Sequence, residues 1–77
     1  MSLKDQYITD ITNGCNYIDE QVAAKTTEKT PYGTWKIQEA VDGVKFQLAI
    51  DEVKNSSEDL SAFNTSVSNA EAYIKTL

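Results

Sequence analysis

Residues 35–50 alternate apolar and polar side chains on either side of the dipeptide Asp42-Gly43. Asp-Gly is a strong signal for a two-residue hairpin turn, because both central positions of a type I′ turn need a positive φ. With the turn at this dipeptide, one face of the hairpin receives Trp35, Ile37, Glu39, Val41, Val44, Phe46, Leu48 and Ile50. Only one of these residues is charged, so the register separates apolar from polar positions. The pattern predicts an antiparallel β-hairpin over residues 34–51.

The same stretch can also be given the 3.6-residue period of a helix. That period divides the apolar residues of 35–53 between two opposite faces, and one of these carries Trp35, Phe46, Ile50 and Val53. A small bundle cannot bury both faces of one helix, which favours the hairpin. Gln38, Glu39 and Ala40 are nevertheless good helix formers. A helix here, and with it a three-helix bundle, is therefore the alternative.

Amphipathic helices are expected on both sides of the hairpin, where apolar residues recur at spacings of three and four. The first helix is predicted over residues 3–25, and the second lies within residues 58–77. A chain of 77 residues has material for one core only. The sequence therefore predicts an α+β fold in a single domain, residues 1–77, with element order α-β-β-α and both helices packed on one face of the sheet.

The charged residues exclude several classes of function. The chain has 12 acidic residues and seven basic ones, a net charge of −5, and all seven basic residues are lysines. This balance argues against direct binding to nucleic acid or to an anionic membrane. The chain has no histidine, one cysteine and no glycine-rich phosphate loop. We therefore expect no catalytic site, no cofactor and no metal, and the sequence indicates a protein that is not an enzyme.

The compartment and the state of the single cysteine follow from the same reasoning. No apolar run approaches the length of about 18 residues that a membrane span needs, and the N-terminus has charges where a signal peptide is apolar. The expected location is the cytoplasm. Cys15 lies on the apolar stripe of the first helix, so a buried structural thiol is expected.

Three residues are candidates for contact with a partner. Tyr32 and Trp35 stand at the open end of the predicted hairpin, where exposed aromatics could anchor another protein or could cap the core. Glu39 falls on the inward face of the hairpin, where a buried carboxylate often has a role. Its simpler interpretation is a carboxylate at the sheet margin that reaches solvent or pairs with a lysine.

The sequence favours a small protein-interaction module, a bacterial or phage accessory adaptor or inhibitor that occupies a surface of a larger protein. A two-stranded sheet leaves both edges unpaired, so the hairpin predicts strand pairing with a partner or a homodimer through the sheet edge. The alternative function is an acidic mimic of nucleic acid that inhibits a DNA- or RNA-binding enzyme.

Overall fold

The computed structural model describes residues 2–24 and 31–76, with side chains for all of these except 31–34. Four helices follow one another along this part of the chain: α1, Leu3–Ala24; α2, Pro31–Leu48; α3, Asp51–Lys54; and α4, Ser61–Lys75. The three long helices each pack against the other two, and the single turn of α3 packs on α1 and α2. The result is an elongated helical bundle of 39 × 19 × 18 Å.

The predicted α-β-β-α order is wrong. Residues 2–24 and 31–76 contain no strand, and most of the predicted 34–51 hairpin lies within one helix, α2. The helical alternative, a three-helix bundle, describes the fold better. The sheet edge on which the predicted homodimer depended is therefore absent from the described part of the chain.

The hairpin was favoured because a helix over residues 35–53 would have two apolar faces, and the structure resolves this conflict by ending α2 early. The helix stops at Leu48, and Ala49 and Ile50 form the bend that follows it. The amide of Val53 then donates to the carbonyl of Ile50 (3.0 Å) in the single turn of α3. This turn buries Val53 completely. Ile50 and Val53, two of the four apolar residues on the second face of the 35–53 helix, thus lie beyond the end of α2.

The Asp42-Gly43 dipeptide lies inside α2 rather than at a turn. Both residues have helical backbone and both are exposed. The side chain of Gln38 donates from Nε2 to Oδ1 of Asp42 over 2.9 Å, one helical turn away. Such contacts between positions i and i+4 stabilise helices. Gly43 weakens the helix, because glycine has a propensity about 1 kcal/mol less favourable than alanine, but packing of the other face of α2 offsets this cost.

The core lies where the inner faces of the helices meet. It comprises nine buried side chains, which are Ile11, Cys15, Ile18, Ile37, Val41, Val44, Val53, Val67 and Ala70. Half-buried aromatic and aliphatic residues surround them, including Tyr7, Phe63 and Tyr73. In α1 and α4 the core residues recur at spacings of three and four. This spacing places them on one stripe of each helix, as an amphipathic helix requires.

Gly14 marks the closest approach between α1 and α2. A Cβ atom added at this position would lie 2.7 Å from Cγ2 of Val44, a separation that real Cβ atoms essentially never show. Val44 is itself buried. The absence of a side chain at Gly14 therefore allows the two helices to pack at this distance.

Polar contacts on the surface join residues that are distant in the sequence. They are Lys4 with Glu58 (2.9 Å), Ser66 with Asp19 (3.0 Å) and Lys45 with Glu71 (3.3 Å). At the start of α4, Oδ1 of Asp59 accepts hydrogen bonds from the backbone amide and the hydroxyl of Ser61. These two bonds hold the pKa of Asp59 below its usual value. Exposed pairs of this kind contribute little each, so the core supplies most of the stability.

Among the described residues, no helix combines the length and the apolar character needed to cross a membrane.

Candidate functional site

The outward side of α2 carries two exposed aromatic residues. Trp35 is 56 % exposed and Phe46 is 74 % exposed, and in the described part of the chain Leu3 is the other large apolar residue with an exposed side chain. Eleven positions separate Trp35 from Phe46, which corresponds to a rotation of only about 20° around the helix axis and a separation of about 16 Å along it. The two aromatics therefore lie on one line along the surface.

Two carboxylates lie between these aromatics on the same side of the helix. Glu39 is one turn after Trp35, Asp42 is one turn before Phe46, and both are exposed. We call these four residues, Trp35, Glu39, Asp42 and Phe46, the α2 outer face. An aromatic at each end and acidic groups in the middle give this face both apolar area and negative charge.

Gly43 lies at the side of the α2 outer face and adds no atoms to it beyond the backbone. A Cβ atom at this position would meet nothing within 4 Å. The fold therefore does not require glycine here, in contrast to Gly14. What Gly43 does provide is a point where another molecule can approach the backbone of α2 closely.

The three residues singled out from the sequence have different outcomes. The side chain of Tyr32 lies outside the described residues, although its backbone is part of α2. Trp35 and Glu39 come together one turn apart on the α2 outer face. Glu39 does not point inward as the hairpin register required, because the helix turns it to solvent.

Phe46 and Asp42 were not among the candidate contact residues, although the helical period contained the signal. Residues 35, 39, 42 and 46 follow spacings of four, three and four, which defines one stripe of a helix. In the hairpin register Phe46 was an inward residue paired with Glu39. Large apolar side chains were assumed to be buried, although the rule that apolar residues lie inside has many exceptions at surfaces.

Cys15 is buried in the core, as predicted. Burial raises the pKa of its thiol, and the nearby carboxylate of Asp19 raises it further. A thiol with a raised pKa is a poor nucleophile at neutral pH, since the thiolate is the reactive form. Cys15 therefore fills space between α1 and α4.

A shallow groove lies where α2, α3 and α4 meet. It has a volume of about 450 Å³ and is lined by Lys45, Leu48, Ala49, Lys54, Leu60 and Asn64. Its lining offers lysine ammonium groups and one amide, but no carboxylate or thiol that could serve as a general base. Lys45, one of the lining lysines, forms an ion pair with the carboxylate of Glu71. The groove thus has the composition of a contact surface.

Within residues 2–24 and 31–76, no cluster of three or more acidic or cysteine side chains has the arrangement of a metal site. The α2 outer face carries the two most exposed large apolar side chains of the described surface. Comparisons of the chain with family models, with curated proteins and with solved structures found no match.

Proposed function

We propose that this protein is a non-enzymatic interaction module that binds a larger protein through the α2 outer face. In this proposal it acts in the cytoplasm as a bacterial or phage accessory adaptor or inhibitor. The observation that carries the proposal is the pair Trp35 and Phe46, both exposed and aligned on a helix whose other side forms the core. Tryptophan and other aromatics are enriched in the energetic centres of protein interfaces.

The area of the two aromatics is large enough to matter for binding. An aromatic side chain covers about 150–250 Å², and burial of apolar surface is worth about 25 cal/mol per Å². Burial of the exposed parts of Trp35 and Phe46 would contribute on the order of 2–4 kcal/mol each, before the entropy cost of association is subtracted. The two residues can therefore form the energetic centre of a larger interface whose surrounding surface excludes water.

The chemistry of the residues that the structure describes favours a binding role over an enzymatic one. The chain has no histidine, and its one thiol is buried with a raised pKa. The groove between α2, α3 and α4 contains no acid–base pair in its lining. Binding needs only shape, apolar area and charge, which the α2 outer face provides.

Affinity capture with matched variants tests the proposal. The wild-type protein and the variants Phe46→Ala and Leu3→Ala would each be used to capture proteins from cells that carry the gene, followed by quantitative mass spectrometry. Leu3 is the control because it is also a large exposed apolar residue but belongs to α1. We expect a partner that is retained by Leu3→Ala and depleted at least tenfold by Phe46→Ala. Equal recovery by both variants would exclude the α2 outer face as the binding surface.

The net charge of −5 supports a second candidate function, the acidic mimic that occupies a basic nucleic-acid cleft. The two functions differ in their response to salt. Docking at the α2 outer face involves aromatics and only two carboxylates, so it should lose a small part of its affinity between low and high salt, whereas a charge mimic that uses the whole acidic surface should lose most of its affinity. Titration of the captured complex with sodium chloride distinguishes them.

A further inference from the structure

We propose that the occupant of the α2 outer face is a basic amphipathic helix of another protein, with lysine or arginine between two apolar positions, and that it is not a second copy of this chain. This inference rests on the proposed function and specifies the partner.

The order of residues along the α2 outer face determines the charge of the partner. The carboxylates of Glu39 and Asp42 lie between the two aromatics, so a partner that covers both Trp35 and Phe46 must also cover the acids. Asp42 keeps its hydrogen bond from the neutral amide of Gln38, but carboxylates that are buried without a cation lose their hydration at high cost. A cationic side chain at the centre of the partner replaces that hydration with charge-assisted hydrogen bonds.

The same order disfavours pairing of two copies through this face. In an antiparallel pair, contact between Trp35 of one copy and Phe46 of the other places Glu39 opposite Asp42 at the centre. In a parallel pair, each acid faces its own counterpart. Either arrangement brings four carboxylates together, and like charges across an interface strongly oppose association.

The shape of the face accommodates a partner helix. Its two aromatics lie about 16 Å apart on a straight line, a distance that eleven residues of a second helix match. Gly43 beside this line leaves open space where a side chain would otherwise stand. A partner helix can therefore approach the backbone of α2 at this point, much as the side chain of Val44 approaches the backbone of α1 at Gly14.

The fluorescence of Trp35 gives a direct readout, because it is the single tryptophan of the chain. The probes are two synthetic 18-residue helical peptides without aromatic residues, which share the same leucine positions and carry either lysine or glutamate at the others. We expect the lysine peptide to shift the Trp35 emission to shorter wavelength and to bind at least tenfold more tightly than the glutamate peptide.

Charge variants separate local recognition from general attraction to an acidic protein. The double variant E39Q/D42N should reduce the affinity for the lysine peptide at least fivefold. The double variant D10N/E20Q removes the same charge from exposed positions of α1 and should reduce it less than twofold. Gly43→Gln should leave folding intact, since a Cβ atom at this exposed position meets nothing within 4 Å, and should weaken the peptide complex at least fivefold.

The outcomes distinguish this inference from the proposed function. If both peptides bind equally, or if both double variants lose affinity equally, the inference that this face selects a basic partner is wrong. Sedimentation of the wild type as a dimer that Phe46→Ala dissociates would also overturn it, because the occupant would then be a second copy. If capture depends on Phe46 but the lysine peptide gives no shift, only the partner class fails. If capture does not depend on Phe46 and the lysine peptide does not shift the Trp35 emission, the proposed function fails as well.

Discussion

Gly14 and Gly43 are both glycines within long helices, yet their surroundings are opposite. Gly14 on α1 is so close to Val44 that a methyl group would overlap with it, while Gly43, the residue before Val44, faces open space. One step along a helix is a rotation of about 100°, which is enough to pass from the core side of α2 to its outward side. The comparison teaches that α2 has two distinct faces, one required by the fold and one that the fold leaves free.

The largest effect in this comparison should come from side chains on the two faces of α2. Ile37 is buried and Phe46 is exposed. Ile37→Ala should lower the free energy of unfolding by about 2–5 kcal/mol, since it removes buried methyl groups and leaves a cavity. Phe46→Ala should change it by no more than about 0.5 kcal/mol. Urea denaturation of both variants measures the difference, and equal losses would mean that Phe46 is a core residue.

Gly14→Ala should destabilise the protein by about 1 kcal/mol. Overpacking a tight contact costs about 1–3 kcal/mol, and the better helix propensity of alanine returns about 1 kcal/mol of this. The contact atom belongs to Val44, whose branched side chain is stiff and buried, so it has little freedom to move away. Thermal unfolding followed by circular dichroism gives the midpoint. A midpoint equal to or above that of the wild type would show that α1 and α2 do not approach each other closely at this glycine.

Gly43→Ala should have the opposite sign, with a gain of up to about 1 kcal/mol, because the helix improves and nothing is displaced. A hairpin with a type I′ turn at this dipeptide would instead be destabilised, since alanine tolerates positive φ poorly. The same thermal unfolding experiment applies. A lower midpoint for Gly43→Ala than for the wild type would contradict the helical assignment of α2.

The smallest effect should come from Asp59, an exposed residue away from both glycines. Its pKa is lowered by the hydrogen bonds from Ser61, so the unfolded chain takes up a proton first as the pH falls. The contribution of Asp59 to stability is therefore complete above the ordinary aspartate pKa of about 4 and is lost as the pH falls through the lower folded value. The stability difference between wild type and Asp59→Ala should shrink over this interval. A difference that is constant from pH 6 to pH 2.5 would mean that the contact is not formed.

The spacing of apolar residues was sufficient to locate the stripes of α1 and α4. Their core positions recur every three or four residues, and that pattern fits no other regular element. In α2 the same information was ambiguous, because the core positions Ile37, Val41, Val44 and Leu48 fit one face of a helix and also one face of a hairpin. A strong turn dipeptide then favoured the wrong element, since local turn preference is overridden when the helix can pack its other face.

Two facts about α2 are not written in any local pattern. Neither glycine nor proline marks its end at Leu48, so the predicted hairpin extended to Ile50 and the helical alternative extended to Val53. The exposure of the two aromatics depends on which side of α2 the helices α1 and α4 cover, and this is a property of the tertiary packing. Of the candidate site, Trp35 and Glu39 were selected from the sequence. The inward position of Glu39 belonged to the hairpin and is wrong, whereas its exposure agrees with the simpler interpretation of a carboxylate that reaches solvent.

The central claim is that Trp35 and Phe46 share one outward face because residues 31–48 form a continuous helix. Backbone NMR of the wild-type protein tests it most directly. The account predicts ¹³Cα shifts downfield of random-coil values from Trp35 to Leu48, with sequential amide–amide contacts that continue through Asp42 and Gly43. Upfield shifts on both sides of this dipeptide, with cross-strand contacts between Val41 and Val44, would contradict it.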